Sequence, residues 1–142
     1  MEGEIRGRSG EAFTIDDEFI ASAVGAEIPV GSRSIRIRVP SYLDYYILKL
    51  LSGRPGDIRD LAALTWQNGV PEHKALIKRT KNVVSEPTRI LENMDIAIDE
   101  MADERFLDSW RGTFTGLKLA EPDKQKILRG FRALKRSIQD AL

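Results

Sequence analysis

The 142-residue chain contains no cysteine and only one histidine, His73. Without thiols there is no disulfide and no thiolate metal site. A single imidazole excludes a multi-histidine metal centre and leaves a Ser-His-Asp triad unsupported. An excess of either charge is also lacking. Lys plus Arg and Asp plus Glu number 22 each, so no global field draws the protein to nucleic acid or to a membrane. No apolar run approaches the roughly 18–20 residues needed to span a bilayer. The opening residues, MEGEIRGRSGE, lack the apolar core of a signal peptide. A soluble, cytoplasmic protein is expected. At 42% hydrophobic residues the composition supports a modest core. The length predicts one domain over 1–142, strand-rich over 1–39 and helical over 40–142.

Glycine and proline punctuate what is present. Residues 1–10 read as polar, glycine-rich and loose. Residues 12–15 read as a short strand, and Asp16 or Asp17 as the start of a short helix through Phe19, Ile20 and Val24. Residues 26–30 and 34–39, joined by Gly31-Ser32-Arg33, predict a hairpin. In its second arm Ile35, Ile37 and Val39 alternate with Arg36 and Arg38, which predicts one buried face and one face carrying arginines.

Ser41 predicts an N-cap, with Asp44 at N3, for a helix running to about Leu51. Gly53 suits its C′ position. Asp57 is expected to cap a second helix to about Asn68, and Pro71 to sit in the first turn of a third, to about Lys81. A fourth helix is predicted over 86–103, a short fifth over 106–110, and a last one opened by Pro122. Ile127, Phe131, Leu134, Ile138 and Leu142 form the stripe of that last helix. The fold class is therefore α+β: a small antiparallel hairpin or three-stranded sheet followed by five or six helices. So small a sheet cannot bury a face alone. It must lean on the first helices or pair through an edge with another chain.

One stretch points to a chemistry. Between Val39 and Leu64 the sequence VPSYLDYYILKLLSGRPGDIRDLAAL gathers Lys49, Arg54, Asp57 and Asp60 around a Gly-Arg-Pro-Gly turn between two apolar helices. Two readings stand. In the structural one, Asp57 and Asp60 serve the helix start, Lys49 the end of the preceding helix, and Arg54 pairs with Asp57; each is worth about 0.5–1 kcal/mol. In the functional one, Lys49 and Arg54 grip a nucleotide polyphosphate while the aspartates hold those cations or orient a ribose or a metal-bound water.

The stretch resembles the C-terminal half of the minimal nucleotidyltransferase-like proteins, including the antitoxin and AbiEii-type branches. That pattern is a Pro-Ser start, an acidic residue, an apolar helix carrying one Lys, then Gly-Arg and Asp-x-x-Asp. It is met by Pro40, Ser41, Asp44, Lys49, Gly53, Arg54, Asp57 and Asp60. Leu43 stands where the family commonly has a glutamate. The resemblance implies a nucleotide or phosphate site at Lys49, Arg54, Asp57, Asp60 and Asp44.

The Gly-Ser loop and Asp-x-Asp pair that carry triphosphate and metals in that family have no counterpart upstream of Pro40. Gly7-Arg8-Ser9-Gly10 is followed by no Asp-x-Asp, and Asp16-Asp17 is an adjacent pair whose side chains would diverge on a strand. No catalytic or metal-binding residue is thus assigned. The resemblance implies a protein inactive as a transferase by itself, an antitoxin-like partner or split-enzyme component, with Mg2+ and a nucleoside triphosphate engaged only if a partner supplies the missing motif.

The alternatives are a helical homo-oligomeric interaction module without nucleotide binding and a small RNA-binding protein using Arg33, Arg36, Arg38 and the last helix. That helix carries Lys124, Lys126, Arg129, Arg132, Lys135 and Arg136 against Asp123 and Asp140. The acidic residues of the fourth helix offer those cations partners, so the two helices are expected to pack. Asp16, Asp17 and Glu18 read as a helix start rather than metal ligands, and His73 as a surface residue.

Overall fold

The computed structural model describes residues 3–6, 11–114 and 116–142. Two small antiparallel hairpins precede or flank a short helix, and six further helices follow. The first hairpin pairs β1 (Gly3–Arg6) with β2 (Ala12–Ile15). Residues 3–6 are thus a strand rather than the loose segment expected. Glu4 and Arg6 mark its polar side, and the apolar side chain that anchors the pair is Phe13 on β2, which is fully buried. Phe13 bridges to Val84, and Ser85 closes the seam twice: its amide donates to the Ala12 carbonyl, and its hydroxyl accepts from the Ala12 amide.

Asp16 caps α1 (Asp17–Ser22) by accepting from the Phe19 amide. Val24 lies beyond that helix and opens the second hairpin, β3 (Val24–Val30) with β4 (Arg33–Val39). The turn is the two residues Gly31 and Ser32, and Gly31 takes φ +62°, the left-handed value that a II′ turn needs at its first central position. The predicted alternation is present, but its apolar side is not buried. No residue of β3 or β4 is buried, and Val24, Ile28, Val30, Ile35 and Val39 are all exposed.

Six helices form the body: α2 (Tyr42–Ser52), α3 (Pro55–Asn68), α4 (His73–Val83), α5 (Arg89–Ala102), α6 (Phe106–Thr113) and α7 (Glu121–Gln139). The Ser41 hydroxyl accepts from the Asp44 amide and so caps α2, and Gly53 ends it in the left-handed conformation at φ 60°. α3 begins earlier than expected. Pro55 with its fixed φ takes the first helical position, so Asp57 lies inside the first turn and Asp60 a turn deeper, and neither is the cap. Pro71 likewise precedes α4, whose cap is Glu72, accepting from the Lys74 and Ala75 amides.

α2 packs on α3, α4 and α5, and α5 packs along α7 as their complementary stripes predict, with Lys135 paired to Asp95. Tyr46, Ile47, Leu50, Met94, Trp110 and Phe131 fill the centre. The buried Tyr46 hydroxyl is hydrogen-bonded to Thr65 Oγ1. Trp66 meets Trp110 edge to face with ring centroids 5.9 Å apart, and Trp110 Nε1 donates to the Leu117 carbonyl. No helix among the described residues is long and apolar enough to cross a membrane.

Beyond the seam at Phe13 and Ser85, one guanidinium ties the N-terminal part to this body. Arg79, on α4, has a side chain only 3% exposed. Its Nε donates to Asp44 Oδ1 at 2.6 Å, its Nη1 and Nη2 to the two Asp16 oxygens at 2.8 Å each, and Nη1 also to Glu18 at 3.0 Å. Two of these acceptors belong to the start of α1 and one to α2, so a single side chain fixes how three helices meet. The Asp44 side chain is 1% exposed, and removing Arg79 would strand a buried carboxylate. Arg79→Ala is expected to lower unfolding free energy by about 3–5 kcal/mol. Denaturant melts monitored by circular dichroism measure it, and a loss below about 1 kcal/mol would contradict this account.

Candidate functional site

Lys49 lies in the last turn of α2, and Asp57 and Asp60 lie three apart on α3, hence on one side of that helix. The chain reversal at Ser52-Gly53-Arg54 brings these two helix ends together. Lys49 Nζ donates to Asp57 Oδ1 at 2.9 Å and to Asp60 Oδ2 at 2.7 Å. The Ser52 hydroxyl donates to the other Asp57 oxygen. Arg54 Nε lies 3.5 Å from that same oxygen and donates to Ser52 Oγ at 3.3 Å. The ring of Tyr45 sits under the ammonium, 5.2 Å from nitrogen to centroid.

The arrangement sets the charge states. Burial alone would depress the Lys49 ammonium, but the hydrogen bonds it donates to Asp60 and Asp57 outweigh it and hold its pKa above the ordinary lysine value. Burial alone would raise Asp57, and here the Ser52 hydroxyl and the Lys49 ammonium overcome it and lower the carboxyl. The corner therefore keeps one fixed cation between two carboxylates, with Arg54, its side chain 79% exposed, on the rim.

A cleft of about 230 Å³ opens beside it, lined by Lys49, Ser52, Arg54 and Asp57 and, from β1, by Ile5 and Arg6. This is below the roughly 300–1,000 Å³ of most small-molecule sites. Among the described residues no group of three or more His, Asp or Glu side chains is placed to hold a metal ion. A divalent cation at Asp57 and Asp60 would first have to displace the Lys49 ammonium.

Four of the five sequence candidates, Lys49, Arg54, Asp57 and Asp60, thus meet at one corner. The fifth does not. Asp44 is five positions from Lys49, about 140° around the helix, and its carboxylate is taken by Arg79. Three participants escaped the sequence reading. Tyr45 is four residues before Lys49 on the same helix face, a legible signal. Ser52 ends the helix three residues after it. Arg6 lies on a strand that composition did not suggest.

No protein-family model, no curated protein and no solved structure matches the chain. The resemblance to nucleotidyltransferase-like proteins rests on the residues named for it.

The remaining candidates disperse. Asp16 is a helix cap and a partner of Arg79, while Asp17 is exposed. Arg36 pairs with Glu27, Arg38 donates to the Ile20 and Ala23 carbonyls at the end of α1, and Arg33 is exposed at the hairpin tip. On α7, Lys124 is buried with its ammonium 3.3 Å from Glu121, and Lys135 is taken by Asp95. Lys126, Arg129, Arg132 and Arg136 stay exposed. His73 is half-exposed at the start of α4. Gly7-Arg8-Ser9-Gly10 lies outside the described residues.

The Arg79 hydrogen bond holds the Asp16 carboxyl at about 2, against an ordinary 3.8. A carboxylate whose pKa falls on folding stabilises the native state above its unfolded value, and that contribution is lost as pH drops through the folded one. The loss is expected between about pH 4 and pH 2 and is on the order of 1–2 kcal/mol, allowing for partial solvent screening. Urea melts at pH 5 and pH 2.5 should show Asp16→Asn losing less stability over that interval than the wild type. Equal losses in the two proteins would contradict the assignment.

Proposed function

We propose that this chain is the phosphate-gripping part of a nucleotidyltransferase-like system, inactive as a transferase by itself. It acts as an antitoxin-like or split-enzyme component in the cytoplasm, where nucleoside triphosphates are abundant, alongside a polypeptide that supplies a Gly-Ser loop and an Asp-x-Asp pair. Mg2+ would arrive with the nucleotide and with those carboxylates, not with Asp57 and Asp60.

The observation that carries this reading is the Lys49–Asp57–Asp60 constellation at the mouth of a cleft that also presents Arg54 and is closed on one side by β1. A point cation held at the cleft by two carboxylates, next to an exposed planar cation, offers a polyphosphate two positive groups of complementary shape. The cleft volume suits a polyphosphate tail, with the nucleoside outside. The tail must compete with Asp57 and Asp60 for Lys49, so affinity is expected to be weak, on the order of 0.1–1 mM.

A second reading, an interaction module that binds no nucleotide, is favoured by the same geometry, because Lys49 and Arg54 already touch a carboxylate.

Calorimetric titration with tripolyphosphate, and with ATP and magnesium, separates the two. Binding is expected, with Arg54→Ala weakening it about tenfold, one charge-assisted contact being worth about 1.4 kcal/mol. Asp60→Asn, which relieves the competition for Lys49, should tighten it. No heat with either ligand favours the interaction module, and Asp60→Asn binding worse than the wild type contradicts the competition for Lys49 on which the polyphosphate reading rests.

A further inference from the structure

The second hairpin is the anomaly of this fold. A two-stranded ribbon is marginal in water without a layer to cover it. Yet of the eight large hydrophobic side chains exposed among the described residues, five lie on β3 and β4. They are not scattered. The register pairs Val24 with Val39, Ala26 with Ile37 and Ile28 with Ile35, and each pair projects to the same face because residues two apart on a strand share a side. Val30 completes the row beside Arg33, the face's only charge, at the tip. The opposite face carries Glu27, Arg36 and Arg38.

We propose that the apolar face of the β3–β4 hairpin is a dimer interface that packs face to face against the same face of a second copy.

Three observations select a second copy in this arrangement. First, the face is its own complement. Its only charge, Arg33, sits at the tip, so an antiparallel two-fold stack, which sets each tip against the other copy's base, brings apolar residues together without repulsion, and one contact covers both exposed surfaces. Second, the area is right for it. The five exposed side chains offer roughly 450 Å² per copy, within the roughly 300–600 Å² of the largest patches on monomers. Doubled, that is about 900 Å², close to the roughly 1,000 Å² at which specific association begins.

Third, the edges are blocked. The two-residue turn makes Val30 and Arg33 a hydrogen-bonded pair, so Pro29 and Ser34 are a non-hydrogen-bonded one, and the missing Pro29 amide falls on the outer edge of β3. Pairing two β4 edges about a two-fold centred at Arg36, or one residue beyond it, would set an arginine of one copy opposite Arg36 or Arg38 of the other, a like-charge arrangement. Stacking faces avoids both penalties.

The interface is independent of the polyphosphate reading, so the two stand or fall separately. Sedimentation of the full chain at about 200 µM, a concentration high enough to populate a weak interface of this size, is expected to give a mass of two chains. Ile28→Asp and Ile35→Asp, each placing a carboxylate in the centre of the face, should raise the dissociation constant at least 100-fold while far-UV circular dichroism keeps its helical signal. Ile28→Thr, which keeps the β-branched strand former, should weaken the dimer in the same direction by a smaller factor and serves if the aspartates disturb folding. Arg36→Asp, on the other face, should leave the dimer unchanged. A monomer at about 200 µM, a dimer indifferent to the Ile28 and Ile35 variants, or one as sensitive to Arg36→Asp as to them, overturns the proposal.

Discussion

The buried Arg79 guanidinium is the constraint on which the arrangement of this protein depends. Its planar set of donors is matched by the carboxylates of Asp44 and Asp16, one from α2 and one from the cap of α1, with Glu18 completing the outer edge. A lysine, with three donors on one nitrogen, could not reproduce the five contacts that Arg79 makes from Nε, Nη1 and Nη2. Breaking this contact would leave Asp44 charged in an apolar setting. α1 leads through Ala23 into β3, so the same side chain anchors the helix from which the second hairpin starts. That hairpin otherwise touches α1 mainly through Arg38.

The two ion clusters along α2 behave differently. The one at Arg79 buries its guanidinium and the Asp44 carboxylate, with Asp16 and Glu18 on the solvent side, and the guanidinium is met by carboxylates at all three nitrogens. The one at Lys49 is half-open, with Ser52 and Arg54 toward solvent and a small cleft in front. Asp16 in the first and Asp57 in the second are held below the ordinary carboxylate pKa, and the larger cleft, about 230 Å³ against about 150 Å³, opens at the second. That difference, rather than the number of charges, makes the corner between α2 and α3 the candidate site and assigns Asp44 to the scaffold.

Local chemistry was legible in the sequence where it acts over a few residues. The Ser41 cap, Gly53, the convergence of Lys49 with Asp57 and Asp60, and the packing of α5 on α7 follow from spacing within one or two elements. What could not be read comes from long-range pairing. Arg79 sits in HKALIKRTKNV as one cation among several, and its partners lie 35 and 63 residues away. The strand over residues 3–6 is specified by Phe13 and Val84 rather than by its own residues. The start of α3 moved because the fixed φ of Pro55 outweighs the capping preference of Asp57. In β4 the alternation was real, but a pattern of period two says which side is apolar, not whether this polypeptide covers it.

Trp66 and Trp110, the only tryptophans in the chain, meet edge to face between α3 and α6. Optical probes of the indoles therefore report on a single spot deep in the helical body. Emission and near-ultraviolet ellipticity will register its melting as one transition and stay silent about fraying or docking of the distant ribbon. Amide-resolved exchange, rather than fluorescence, is the spectroscopy suited to that half of the molecule.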